Sequence, residues 1–313
     1  MPYKKIDFHT HIGKNYSQIN KYELKEEDLL RKMDENNVLE AVIFSEVSPE
    51  PWMIKFNDCF GYPLRKNNKQ VNRNVFEISK KDSRLLPFYF ADIRDTNAGR
   101  ELNELVNEGL DFRGIKVHQT VSSVDIKMLE TSGILKSAEK NEIPILIHLN
   151  SENTHGNENL GIIADKYNNI DFVIAHFGFV QNNLLNLVSM NENIFLDTAG
   201  ITHKNFLKAV LNYNRIGNAT DYMVSTFLSQ KITEEFAVES ENVIFKQVLS
   251  SVLDSKKLIE VLTDTCGSNH LIFGSDEPWS SMSLIIPIIE NADIKESDKE
   301  NIFYNNAKKI LKK

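Results

Sequence analysis

With 313 residues, of which 41% are hydrophobic and 26% charged, the chain has the size and composition of a globular protein with one large or two ordinary domains. A net charge of −8 argues against a nucleic-acid-binding surface, and no apolar run is long enough to span a membrane. The two cysteines lack the spacing of a zinc or redox motif, and the N-terminus lacks a signal-peptide pattern. We therefore expect a cytoplasmic protein that binds neither nucleic acid nor membranes.

Short apolar strands and amphipathic helices alternate along the chain. Strands are predicted over residues 6–11, 41–44, 85–91, 114–118, 144–148, 172–176, 194–197 and 270–274. Helices are predicted over residues 24–36, 69–81, 102–107, 126–140, 160–167, 182–188, 284–290 and 297–311. Eight strand–helix units indicate an α/β fold, a closed (β/α)₈ TIM barrel formed by one domain over residues 1–313. An open doubly wound sheet is the alternative, but its usual Gly-x-Gly-x-x-Gly turn does not occur.

Two segments interrupt this alternation. Residues 47–64 contain three prolines and a glycine, which predict a long loop on the functional face. Residues 201–255 lie after the seventh strand and contain several amphipathic stretches, which predict a helical insertion. The insertion is equally compatible with a lid, a dimer contact or an inert elaboration, so a homodimer stays open.

The first strand contains the sequence Ile-Asp-Phe-His-Thr-His over residues 6–11. Side chains alternate along an extended strand, so Asp7, His9 and His11 are predicted to share one face, opposite Ile6 and Phe8. Neutral imidazole is a common metal ligand, and the two histidines can bind one ion side by side. The alternative is a pair of hydrogen-bonded polar residues at the end of a strand.

Further histidines and an aspartate also occupy predicted strand ends. His118, His148 and His176 end the fourth, fifth and sixth strands, and Asp276 follows the eighth. A single histidine in such a place is usually a hydrogen-bonded core residue, but the repetition over several strands favours a site. Active sites of (β/α)₈ barrels lie at this carboxyl-terminal face. His270 begins its strand at the opposite face, and we assign it no chemistry.

These residue types predict one divalent ion per chain. Three histidines, His9, His11 and His148, with Asp276 as the fourth ligand would leave a position open for water, as in catalytic zinc sites. Zn²⁺ is expected, and another divalent transition metal such as Mn²⁺ also suits these ligands. Asp276 would accept the proton of the attacking water, and His176 would polarise the substrate or shuttle a proton.

With these residues identified, the chain resembles the amidohydrolase superfamily, and within it the group that includes aminocarboxymuconate-semialdehyde decarboxylase. The motifs that carry the resemblance are Asp-Phe-His-Thr-His at 7–11, Gly-Ile-Lys-Val-His at 114–118, Ile-His at 147–148, Ala-His-Phe-Gly at 175–178, Leu-Asp-Thr at 196–198 and Phe-Gly-Ser-Asp-Glu-Pro-Trp at 273–279. The resemblance implies a TIM barrel with His9, His11, His148 and Asp276 as metal ligands and His176 as the catalytic histidine. Some superfamily members instead carbamylate a lysine of the fourth strand to bridge two metals, which makes Lys116 an alternative ligand.

Three further residues are candidates for binding a small-molecule substrate. His118 ends the fourth strand, Arg94 follows the third, and Trp279 lies close to Asp276. Arg94 would bind a carboxylate through two hydrogen bonds, with an ion pair as the alternative. Trp279 would form a pocket wall, with packing under a loop as the alternative.

Three classes of function fit this pattern. The first is a metal-dependent hydrolase that cleaves an amide, ester or lactone bond with an activated water. The second is a metal-dependent non-oxidative decarboxylase of a small carboxylated substrate. The third is a barrel that only binds a partner, which the intact set of ligand types at all four metal positions disfavours.

Overall fold

The computed structural model describes residues 3–14, 23–45, 68–119, 124–149, 155–180, 182–200 and 255–311. The predicted loop over residues 47–64 and nearly all of the predicted insertion over residues 201–255 lie outside these ranges. Within the described ranges, no helix has the length and apolarity needed to cross a membrane.

Eight parallel strands form the barrel, and the alternation of strands and helices predicted from the sequence is confirmed. The strands are β1 (Ile6–Lys14), β2 (Glu23–Leu24), β3 (Glu40–Ser45), β4 (Leu85–Ala91), β5 (Gly114–His118), β6 (Ile145–His148), β7 (Phe172–Ile174), β8 (Ile194–Asp197) and β9 (Leu271–Ile272). Their spatial order is β2-β1-β3-β4-β5-β6-β7-β8-β9. Among these described strands, only the short β2 is antiparallel, and it pairs with the end of β1 outside the barrel.

The barrel closes where β1 meets the chain that follows β9. The Phe8 N–H donates to Phe273 O at 2.9 Å, and the Asp276 N–H donates to His9 O at 2.8 Å. Beyond them the His11 N–H donates to Glu277 O at 2.7 Å. These main-chain hydrogen bonds bring the first and last motifs of the sequence to the same edge.

Helices surround the barrel. They span Glu26–Asn36, Asn68–Ser79, Ala98–Asn107, Met128–Thr131, Ile134–Asn141, His155–Lys166, Asn182–Met190, Ser255–Cys266, Met282–Glu290, Glu296–Glu300 and Asn306–Ile310, with short 3₁₀ helices at Ala175–Val180 and Ser268–His270 and a π-helical turn at Asn301–Asn305. The single helix predicted over residues 126–140 is two helices, because Gly133 adopts a left-handed φ of 74°. The carbonyl of Gly133 lies so close to Gly99 that a Cβ there would be 2.2 Å away.

Two apolar cores hold the fold together, one between the strands and the helices and one inside the barrel. The inner core is formed by Ile6, Phe8, Val42, Phe44, Leu86, Phe88, Leu146, Val173, Ala175, Phe195 and Ile272, with Ala307, Ile310 and Leu311 of the last helix and its end. A barrel interior filled with side chains in this way is a packed core rather than a pore. Polar groups are therefore accommodated at the strand ends.

The strict alternation predicted for β1 is wrong at one position. Phe8 belongs to the inner core, and the neighbouring His9 ring also lies against Phe44 of that core, with centroids 5.3 Å apart. The register between β1 and β3 shifts between Asp7 and Thr10. Such a β-bulge adds a residue to one strand and re-aims the side chains that follow it.

Candidate functional site

Histidines and an aspartate from several strand ends come together at one end of the barrel. They are His9 and His11 of β1, His118 at the end of β5, His148 at the end of β6, His176 after β7 and Asp276 after β9. Four of them, His9, His11, His176 and Asp276, have at most 6% of their surface exposed. The packed core beneath them leaves their polar atoms facing one another.

Asp276 lies between the two histidines of β1. Its Oδ1 is 3.3 Å from His9 Nε2 and 3.2 Å from His11 Nε2. The backbone of Asp276 is left-handed, with φ of 64°, a conformation that is strained for a residue other than glycine. The hydrogen bond from its N–H to His9 O holds the main chain in this conformation.

A second group of histidines extends from Asp276 toward β5. His176 Nε2 is 2.9 Å from His148 Nδ1, and the His148 ring stacks on His118 with centroids 3.9 Å apart. On its other side, His176 Nδ1 is 3.0 Å from Ala199 O. A carbonyl oxygen only accepts, so Nδ1 carries the proton of a neutral His176. His176 Nε2 then accepts from His148 Nδ1–H, which leaves the lone pair of His148 on Nε2.

His176 lies on a strained turn rather than in a strand. The strand predicted to reach residue 176 ends at Ile174, and a 3₁₀ helix follows over Ala175–Val180. His176, Phe177 and Gly178 have φ of 58°, 50° and 57°, so three consecutive residues are left-handed. Backbone strain of this kind concentrates at functional sites, where neighbouring contacts maintain it.

The environment favours the neutral form of three of these imidazoles, those of His9, His118 and His148. Burial lowers the pKa of His9 and of His118 well below the usual range, and the charge of Lys116 acts in the same direction. Burial and the neighbouring His118 do the same to the pKa of His148. The Lys116 ammonium is fully buried, 3.3 Å from His9 Nε2 and 4.8 Å from the centre of the Phe44 ring. Neutral imidazole is the form that binds metals.

The donor set fits a divalent cation. Among the described residues, ligand-type atoms of His9, His176 and Asp276 lie within 4.8 Å of one another. His11 adjoins this group through Asp276, and His148 adjoins it through His176. With a proton on Nδ1, His9 presents a lone pair to the Asp276 carboxylate, and a cation between two such acceptors relieves their repulsion. Imidazole and carboxylate together suit zinc and manganese.

Asp197, for which the sequence predicts no role, lies at the centre of the site. This carboxylate is fully buried at the end of β8, and its Oδ2 is 2.7 Å from His9 Nδ1. Its Oδ1 accepts hydrogen bonds from the N–H groups of His176 and Ala199 at 2.7 and 3.0 Å. The available signal was the position of Asp197 at the end of a buried strand, like that of the histidines.

Glu277, next to Asp276, is a second residue without a predicted role. Its side chain is 1% exposed, and its Oε2 accepts from Lys32 Nζ at 2.5 Å. Its Oε1 accepts from the N–H of Met282 at 3.2 Å, at the start of the helix Met282–Glu290. Lys32 is 245 positions earlier in the chain, so no local pattern indicates this pair.

Arg94 and Trp279, two of the residues predicted to bind substrate, do not belong to this cluster of histidines and Asp276. Arg94 forms a two-point ion pair with Asp92, with Nη2–Oδ2 and Nε–Oδ1 distances of 2.5 and 2.9 Å. The ion pair, the alternative interpretation of Arg94, is therefore present. Trp279 follows Pro278 in the segment after Asp276 and is 36% exposed. A role in substrate binding stays a prediction for both residues.

The sequence matches the model of one protein family, described as amidohydrolase, over residues 6–313. Among curated proteins, none matches the chain. Solved structures that resemble it include an amidohydrolase from Burkholderia multivorans with bound zinc, with 13% identity, a TM-score of 0.64 and 99% of both chains covered.

Two other similar structures differ in the reaction that their names state. One is a dihydroxybenzoic acid decarboxylase from a Polaromonas species with bound manganese and the inhibitor 2-nitroresorcinol (13% identity, TM-score 0.61, 99% of this chain and 97% of that chain covered). The other is a probable 2-pyrone-4,6-dicarboxylic acid hydrolase from Acinetobacter baumannii with bound citric acid (15% identity, TM-score 0.61, 99% and 100% covered). At these identities the likeness shows a shared fold.

Proposed function

This chain belongs to the amidohydrolase family and is an enzyme of that superfamily, and from this premise we propose that it is a metal-dependent hydrolase of a small molecule. The bond cleaved is an amide, ester or lactone. The observation that carries the proposal is the contact of Asp276 Oδ1 with the Nε2 atoms of His9 and His11, at 3.3 and 3.2 Å. Imidazole nitrogen atoms and a carboxylate in one buried cluster suit an ion that activates water.

In this proposal His9, His11, His148 and Asp276 hold one divalent ion. When bound, such an ion supplies Lewis acidity and lowers the pKa of water toward neutrality. The Asp276 carboxylate accepts the proton of the attacking water. His176, whose Nδ1 lies 3.0 Å from Ala199 O and whose Nε2 lies 2.9 Å from His148 Nδ1, polarises the substrate or shuttles a proton in this proposal.

The tautomers support this division between ligands and catalytic histidine. His148 donates through Nδ1 to His176, so the lone pair available to an ion is on His148 Nε2. His176 Nε2 is the acceptor of that bond, which favours a catalytic rather than a ligating role. A binuclear site with a carbamylated Lys116 is the alternative, and it would recruit His176 as a ligand.

The first prediction concerns metal content. Protein purified without chelator is expected to contain about one equivalent of zinc, manganese or iron per chain, because one set of four ligands is proposed. Elemental analysis by mass spectrometry measures it, and activity should disappear on dialysis against a chelator and return with the metal. Two equivalents would favour the binuclear alternative, and a protein that binds no divalent metal would contradict the proposal.

The second prediction separates hydrolysis from decarboxylation. The decarboxylase alternative stays open, because the Polaromonas decarboxylase and the Acinetobacter hydrolase resemble this chain with the same TM-score of 0.61. Hydrolysis consumes water, whereas decarboxylation releases CO₂ and places a solvent proton on carbon. Lactones and carboxylated aromatic acids are incubated with the enzyme in ¹⁸O-labelled water. Label in a new carboxylate or hydroxyl is expected. Release of CO₂ without label in the remaining product, together with solvent deuterium on carbon in a parallel reaction in D₂O, would instead establish the decarboxylase.

A further inference from the structure

We propose that Asp197 is a positioning residue that fixes the tautomer of His9, so that the Nε2 lone pair of His9 faces Asp276. The metal-binding part of this inference rests on the proposed function, whereas the tautomer itself does not. Asp197 and His9 are both fully buried, at the ends of β8 and β1. The residue acts through His9 and not on the substrate.

The geometry at Asp197 leaves one oxygen for His9. Oδ1 already accepts two main-chain N–H groups, from His176 at 2.7 Å and Ala199 at 3.0 Å. Oδ2 is 2.7 Å from His9 Nδ1, a distance typical of a hydrogen bond to a charged acceptor. An ionised carboxylate only accepts, so Nδ1 of His9 must carry the proton.

The opposite side of the His9 ring leads to the same tautomer. Lys116 Nζ is 3.3 Å from His9 Nε2. An ammonium group has donors and no acceptor, so Nε2 accepts and its lone pair is unprotonated. Asp197 and Lys116 therefore assign the proton to Nδ1 independently, one as an acceptor and one as a donor. A metal-binding histidine commonly has this arrangement, with its other nitrogen donating to a carboxylate.

The same carboxylate holds the strained turn that carries His176. Asp197 Oδ1 accepts a hydrogen bond from the backbone N–H of His176, whose φ is 58°. Ala199, the other donor to Oδ1, accepts a hydrogen bond from His176 Nδ1 through its carbonyl oxygen. Asp197 thus couples the side chain of one functional histidine to the backbone of another.

Asp197→Asn tests the tautomer with a minimal change of shape. Its amide oxygen should stay on the two N–H donors, because the reverse orientation would place an NH₂ group against both of them. The NH₂ group then faces His9 Nδ1, which must become an acceptor, and the ring proton moves to Nε2. We expect a loss of zinc affinity of about 10- to 100-fold, the usual effect of removing such a carboxylate.

Asp7→Asn is the matched control. Asp7 is also fully buried and accepts two main-chain N–H groups through Oδ1, from His9 at 3.1 Å and Ser275 at 2.9 Å. Both of these hydrogen bonds come from the main chain and not from the His9 ring, so the replacement should leave the His9 tautomer and the zinc affinity unchanged.

The measurement is ¹⁵N NMR of the histidine rings in metal-free protein, with the His9 signals assigned from a His9→Gln variant. The expected result is protonated Nδ1 in the wild type and in Asp7→Asn, and protonated Nε2 in Asp197→Asn. Zinc affinity is measured in parallel by competition with a chromophoric chelator.

A wild-type His9 that carries its proton on Nε2 would overturn the inference, and this result is decisive even if Asp197→Asn fails to fold. An unchanged tautomer in a folded Asp197→Asn protein would overturn it as well. The expected tautomers without any zinc binding would support the inference and contradict the proposed function. The two proposals are therefore tested separately.

Discussion

Replacing Asp276 by asparagine is expected to lower kcat by about 10²- to 10⁴-fold, the usual cost of removing one positioned general base. Asparagine keeps an oxygen near His9 and His11 but cannot accept the proton of the attacking water. The structure supports this choice because Asp276 Oδ1 is the atom that contacts both Nε2 atoms, at 3.3 and 3.2 Å. KM should change little, since the substitution removes an interaction of the transition state.

Steady-state kinetics on the substrate identified with labelled water measures this effect. Asp293→Asn is a suitable control, because that exposed aspartate follows the helix Met282–Glu290 and should leave kcat unchanged. Metal content is determined on the same preparations, so that loss of the ion is distinguished from loss of the base. A folded, metal-loaded Asp276→Asn enzyme with full activity would refute the proposed role.

His176→Ala has the second large effect, an expected loss of about 10²- to 10⁴-fold in turnover with the metal retained. His176 Nε2 accepts from His148, and its Nδ1 donates to Ala199 O, so its ring is held beside the ligands without being needed to bind the ion. The expected pair of results is therefore full metal content and low kcat. Elemental analysis and kinetics on one preparation measure both.

His270→Ala is the matched control for this variant. His270 is also buried and bonds a carbonyl through Nδ1, that of Ile194 at 2.8 Å, but it precedes β9. Its removal is expected to lower the free energy of unfolding without affecting kcat per folded enzyme. If His176→Ala instead loses the ion together with the activity, His176 is a ligand, as its place within 4.8 Å of His9 and Asp276 allows. That outcome would favour the binuclear alternative with Lys116.

The succession of elements, and the strand ends that carry chemistry, could be predicted from the residues alone. Buried parallel strands appear as short apolar runs, and polar residues directly after them must emerge at one edge, because all the strands point the same way. His118 and His148 end β5 and β6, and Asp276 follows β9, as predicted. This inference needs only local periodicity and the rule that parallel strands expose their carboxyl ends together.

Details within single elements depend on packing. The bulge in β1 that turns both Phe8 and His9 toward the barrel interior depends on the register with β3. The left-handed turn at His176 depends on hydrogen bonds with Asp197 and Ala199, which are remote in the chain. Local preference alone disfavours such a backbone, so the strand predicted from the sequence extends through His176.

The residues that contact the site side chains are brought to them by closure of the barrel, and no local sequence pattern indicates them. Asp197 and His9 are 188 positions apart, and Glu277 and Lys32 are 245 apart. Closure of the barrel between β1 and the segment after β9 brings the first and last motifs of the chain together, as in the hydrogen bond from Asp276 N–H to His9 O. Residue type and spacing predict which side chains can do chemistry. Which nitrogen carries the proton depends on neighbours that only the assembled barrel supplies.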